Sequence, residues 1–171
     1  YELNAIQKYV ENINQLSEVE FISSQTNYIT KDKKTLKKIG KAWSWKDFSK
    51  YMNIAHVGSL HHRSLFEKYG NYDVDFPVCA DYEFLLRAGD KLKAGFVNEV
   101  LCNFRSGGQS YGDSYWSMSE IYREIYHIKS KHNTRPTSLH IHIDNLWARL
   151  KWQINKYIFI IKNINLGKAK K

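Results

Sequence analysis

The sequence predicts a mixed α/β fold followed by a helical extension, and three observations carry that reading. Along residues 1–111, segments with helical apolar spacing alternate with segments that read as strands. Hydrophobic residues make up 43% and aromatic residues 15% of the 171, spread along the length, so a core can form and disorder is excluded. Beyond residue 111 the character turns helical, which divides the chain into an α/β part, 1–111, and a C-terminal helical extension, 112–171.

Leu3, Ile6, Val10, Ile13 and Leu16 recur at helical spacing, so 3–16 is expected to be an amphipathic helix with those residues on its apolar face. Residues 19–29, rich in β-branched and aromatic side chains, read as extended, and the lysine-rich 31–40 as a polar, solvated connection. Residues 43–48 open a short helix. Residues 54–60 read as a buried strand, and 63–69 as a helix that Gly70 ends in a left-handed cap. A further helix is expected over 81–92, with Phe84, Leu85 and Ala88 on one side. Residues 94–97 and 100–104 form two extended segments of a hairpin around Asn98 and Glu99, although that turn lacks glycine, and 105–110 is a loop. In the extension, 115–131 reads as a helix, 134–137 as a break, and 144–164 as a long helix carrying Leu146, Leu150, Ile154, Ile158 and Ile161 on one stripe.

The chain carries a formal net charge of +9, with a pI near 9.4 and a mean hydropathy of −0.56. Such an excess favours anionic partners: phosphates, nucleoside diphosphates, acidic lipid surfaces or nucleic acid. No recognisable nucleic-acid motif is present, so nucleic acid is disfavoured. From residue 145 onward the basic residues are Arg149, Lys151, Lys156, Lys162, Lys168, Lys170 and Lys171 with no acidic residue, which accounts for seven of the nine net charges. An apolar stripe amid that charge suits an anionic membrane surface, or else a helix packed on its own domain or a partner. No stretch approaches the roughly 20 apolar residues of a membrane-spanning helix. Cys79 and Cys102 sit in apolar stretches and are expected to be buried thiols in a reducing compartment. With no secretory signal at the N-terminus, a cytoplasmic location is expected, peripheral to the inner face of the membrane if the basic helix docks there.

The residues that could carry chemistry concentrate between His56 and Ser110. Asp81 opens the 81–92 helix, where free N–H groups and the helix dipole favour a carboxylate, so capping alone would account for it. Its company points further: His56 upstream, Arg87 on the same helix and a double-glycine loop downstream. His140 and His142 alternate with apolar residues but have no third ligand, which makes a weak metal case. Trp43 and Trp45 could stack on sugar faces, although core packing accounts for them better.

The segment Ile54-Ala55-His56-Val57-Gly58-Ser59-Leu60-His61-His62-Arg63-Ser64-Leu65-Phe66-Glu67-Lys68-Tyr69-Gly70-Asn71-Tyr72-Asp73 resembles glycosyltransferase family 2, with its histidine-opened strand, Arg-Ser-Leu-Phe helix and aromatic-Asp pair. In register with it, Ala80-Asp81-Tyr82-Glu83-Phe84-Leu85-Leu86-Arg87 is similar to the family's acidic acceptor-site helix, and Phe104-Arg105-Ser106-Gly107-Gly108-Gln109-Ser110 to its Gly-Gly-x-Ser loop. The resemblance implies the C-terminal part of a type-A glycosyltransferase fold and transfer of a sugar, with inversion, from a nucleotide-sugar donor to a hydroxyl of a saccharide or lipid-linked acceptor. It places Asp81 where the family has its general base; a positioned base contributes about 10²- to 10⁴-fold. Tyr82, Glu83, Arg87, Gly107, Gly108 and Ser110 become the acceptor-side residues and His56 a neighbour of diphosphate or metal, while Arg87 also reads as an ion-pair partner and His56 as a core residue.

The resemblance further implies a divalent cation, Mn or Mg, on an Asp-x-Asp motif in the N-terminal half. No Asp-x-Asp stands at a matching place; Asp73-Val74-Asp75 has the spacing but precedes the acceptor-side helix, where it reads as a loop motif. Ala80 departs from the second acidic residue that many relatives carry. The donor half is thus not seen in these residues, and the isolated chain is expected to be inactive. The alternative to a transferase is a non-catalytic, acceptor-binding remnant.

Overall fold

A computed structural model describes residues 1–107 and 115–134, the latter stretch with side chains from residue 120, together with Leu146, Leu150, Gln153, Ile154 and Tyr157. The chain divides into two compact units, Tyr1–Tyr111 and Gly112–Lys171. The spine of the first is strand β1 (Phe21–Ile29), whose β-branched and aromatic residues suit a strand buried on both faces. β4 (Ala94–Arg105) runs parallel to it along its whole length. The opposite edge of β1 is shared by two antiparallel strands, β3 (Leu60–His61) against Phe21 and Ile22, and β2 (Thr35–Ile39) against Thr26 to Ile29.

Cross-strand partners share a face, so the β1–β3 register fixes what lies on each side of the sheet. Ile22 stands opposite Leu60 on one side, and Phe21 opposite His61 on the other. Helix α1 (Ala5–Gln15) covers the first side, where Ala5, Tyr9, Ile22, Val97 and Leu101 form a core flanked by Ile13, Val19 and Leu60. The Tyr9 hydroxyl donates to Ser24 Oγ at 2.8 Å. The phenol and the small Ala5 set the helix face, so Ile6 and Val10 of the expected stripe stay half-exposed and Ala5 and Tyr9 are buried instead.

The Phe21 side is built by α2 (Trp45–Phe48), α3 (Arg63–Tyr69) and α4 (Ala80–Ala88). Trp43 and Trp45 are half-buried, and Trp43 packs against Phe48 with ring centres 4.7 Å apart; Phe48 in turn meets Tyr82 at 5.1 Å. Helix α3 ends as expected at Gly70, at φ +78°, whose N–H donates to Phe66 O. Helix α4 stops before the predicted 92, because Gly89 at φ +66° closes it and a 3-10 turn, Gly89–Lys91, follows. Cys79 and Cys102 are buried free thiols.

Three other segments differ from expectation. The hairpin around Asn98 and Glu99 does not form; 94–104 is one strand, β4, and register shifts opposite Ser24, Gln25 and Thr26 absorb Asn98, Glu99 and Leu101. Without glycine the chain cannot take the tight primed turn, and bulging keeps both halves paired to β1. The strand expected over 54–60 shrinks to Leu60–His61, because Gly58 sits at φ +83° and Ser59 N–H turns back to His56 O at 3.0 Å. A Cβ on Gly58 would lie 2.8 Å from that of Cys102. The lysine-rich connection contains β2, an exposed edge strand after a turn with Lys33 at φ +62°; lysines suit such an edge because they oppose pairing with another chain.

The result is an α/β unit with a mixed sheet flanked by helices, compatible with part of a glycosyltransferase fold. In the second unit, α5 (Tyr115–Lys131) occupies the predicted helix and ends in a turn where Thr134 N–H donates to Lys129 O at 2.9 Å. Of the predicted 144–164 helix, the described residues Leu146, Leu150, Gln153, Ile154 and Tyr157 are helical. Gly108, Ser110, His140, His142 and the basic residues from Arg149 onward lie outside the described residues.

Candidate active site

The N-cap of α4 is Cys79, whose side chain makes no capping hydrogen bond, so Asp81 does not occupy the N-cap position that its place in the sequence first implied. It stands in the first turn, where the helix dipole still favours its charge, and its Oδ1 accepts from Tyr82 N–H at 2.7 Å. Its side chain is 35% exposed, enough to meet a ligand from solvent. The other carboxylate oxygen, Oδ2, lies 3.8 Å from His56 Nδ1. The far nitrogen of that ring, Nε2, lies 3.5 Å from the Tyr72 hydroxyl. A carboxylate, an imidazole and a phenol thus meet at the start of α4.

Burial controls the protonation of this group. It pushes the His56 pKa below its ordinary value and outweighs the Asp81 carboxylate, which acts in the opposite sense, so the imidazole is neutral at pH 7. Tyr72 is pushed up, first by burial and then by the Asp81 charge, and keeps its proton. Beneath them, His61 lies 5.0 Å from the rings of His56 and Phe21 and within 6 Å of Phe66 and Phe84. Its Nε2 is buried without a hydrogen-bond partner. Desolvation and the neighbouring His56 hold its pKa down at about 4. The site therefore has an uncharged, aromatic floor beneath the Asp81 carboxyl group.

The other expected acceptor residues on α4 make contacts within the fold. Tyr82 is 2% exposed and its hydroxyl donates to Phe48 O. Glu83 is fully buried and accepts from Arg87 Nε at 2.9 Å. The same guanidinium donates to Tyr69 O at 2.5 Å and to Asn71 O at 2.7 Å, and lies over the Phe84 ring. Arg87 thus ties the end of α3 to α4 and sets the backbone just before Tyr72. Tyr82 and Glu83 are thus buried in the packing around Asp81, whereas the Arg87 side chain keeps 22% of its surface exposed. Tyr72, quoted in the aromatic-Asp pair but not singled out, is the neighbour that sequence reasoning missed; that pair was its only signal.

Gly107 follows β4 at φ +99°, at the Ile29 end of β1, whereas β3 pairs with the Phe21 end. Asp73 and Asp75 stand in a turn in which Asp73 Oδ1 accepts from Asp75 N–H at 3.0 Å. Among the described residues, no three His, Cys, Asp or Glu side chains gather in a way that could hold a metal ion.

No family model matches the sequence. Over 83 residues the chain is 31% identical to two proteins named uncharacterized glycosyltransferase, from two strains of Mycobacterium tuberculosis. The match takes in 48% of this chain and 30% of each relative, so the chain spans less than a third of the length of the curated relatives it matches. That similarity supports a glycosyltransferase relationship for the chain.

Proposed function

We propose that this chain is the acceptor-side part of an inverting glycosyltransferase of family 2, with Asp81 as the base that activates the acceptor hydroxyl. The observation that carries the reading is the half-exposed Asp81 carboxylate at the start of α4, flanked by neutral His56 and Tyr72. A sugar hydroxyl is a poor nucleophile at neutral pH. As its oxygen bonds to the anomeric carbon of the donor, its proton passes to an Asp81 oxygen. The bond from that carbon to the diphosphate breaks on the opposite side, and the anomeric configuration inverts. His56 and Tyr72 hold the carboxylate side of the site, and Arg87 holds Tyr72 through Asn71 O.

The donor would be a nucleotide sugar and the acceptor a saccharide or a lipid-linked saccharide. The Mn or Mg that the resemblance implies stabilises a departing diphosphate when bound. The described residues do not fit it, and no step here runs through it. A second reading is a remnant that binds acceptor without transferring sugar. The two are separated by acceptor-dependent release of nucleoside diphosphate from a panel of nucleotide sugars, using a protein that contains this chain and a donor-binding half. Release with inverted product configuration is expected; retention of configuration, or no release from any donor, would overturn the transferase reading.

A further inference from the structure

We infer that the C-terminal segment is a peripheral docking element for an anionic lipid surface, independent of any reading of Asp81. Leu146, Leu150, Ile154 and Tyr157 are helical and 58%, 42%, 55% and 66% exposed. At 100° per residue, these four fall within an arc of roughly 80°, so they form one narrow apolar stripe turned to solvent. A single exposed leucine is unremarkable in a folded protein, but an aligned row of large apolar side chains marks a surface that something else covers.

Charge selects the occupant. Residues 145–171 carry seven lysines and arginines and no acidic residue. A second copy of this chain would bring the same positive charge to the stripe and repel it. Nucleic acid would satisfy the charge but offers no hydrocarbon for leucine and isoleucine. An anionic bilayer supplies both at once, with acyl chains for the stripe and headgroup phosphates for the cations. Trp147 and Trp152 fall in the same stretch of sequence, and tryptophan is the side chain that best occupies the headgroup boundary. No helix among the described residues is long and apolar enough to cross a membrane.

The test is cosedimentation of the full chain with vesicles of phosphatidylcholine alone and of phosphatidylcholine mixed with phosphatidylglycerol. At low salt, binding to the anionic vesicles should be tighter by at least about tenfold, and raising the salt should narrow the difference. The double substitution Leu150→Glu and Ile154→Glu should abolish binding while circular dichroism and thermal unfolding stay as in the parent, since both side chains are exposed. Equal binding to neutral vesicles, or unchanged binding by the double variant, would overturn the proposal. So would a dimer in size-exclusion chromatography that the double variant converts to monomer, because the stripe would then belong to a second copy.

Discussion

Two carboxylates two residues apart on α4 have opposite fates. Asp81 is half-exposed and faces a neutral imidazole across 3.8 Å, whereas Glu83 is fully buried and held by a guanidinium at 2.9 Å. The chemistry of the side chains is the same; the difference lies in the helix face each occupies. A buried carboxylate must be neutralised by a close partner, which makes it a structural element. One in the first turn of the helix, with the dipole favouring a carboxylate and solvent in front, keeps its access. The Glu83–Arg87 pair also serves Asp81 indirectly, because the same guanidinium fixes the backbone that carries Tyr72.

Removing one partner of the buried pair is the strongest way to break this contrast. Arg87→Ala leaves the Glu83 charge inside without its guanidinium and frees the Tyr69 and Asn71 carbonyls, so urea unfolding should report a loss of about 3–5 kcal/mol. Next comes the floor of the site. An imidazole whose folded pKa is about 4, against an ordinary 6.5, takes up its proton more readily unfolded than folded. The stability that His61 contributes is therefore complete above pH 6.5 and is lost progressively as the pH falls toward 4. Unfolding measured across that window should slope downward with falling pH, and His61→Phe, which keeps the ring packing and removes the titration, should flatten the slope. The smallest effect is expected from Tyr72→Phe. Its hydroxyl lies 3.5 Å from His56 Nε2, a long contact, so transfer should fall by no more than about tenfold and stability by less than about 1 kcal/mol.

Much of this was readable before any coordinates. Helices α1, α3 and α5 follow from their apolar spacing, and Gly70 from its place at a helix end. What escaped depends on contacts distant in sequence. The stripe on α1 predicted the helix but not its buried face, which Tyr9 selects by reaching Ser24. Asn98 and Glu99 looked like a turn because polar residues interrupt two apolar runs; the parallel pairing of β4 with β1, some 70 residues away in sequence, keeps them in the strand. In the site, Asp81 stands out in the sequence through its place at a helix start, its neighbours His56 and Arg87, and the motif around it. Tyr82-Glu83-Phe84 gave no sign that its charged member is the most deeply buried of the three polar candidates, although the spacing of Glu83 and Arg87 is that of a helical ion pair. The meeting of His56 with Tyr72, 16 residues apart, is a product of the α3–α4 connection.

The central claim is that Asp81 is available for chemistry and Glu83 is not. It is tested most directly by transfer rates of Asp81→Asn in a protein that contains this chain and a donor-binding half, with thermal unfolding measured in parallel. A fall of about 10²- to 10⁴-fold in turnover with an unchanged unfolding temperature is the predicted result. Near-normal turnover in that variant would contradict the account.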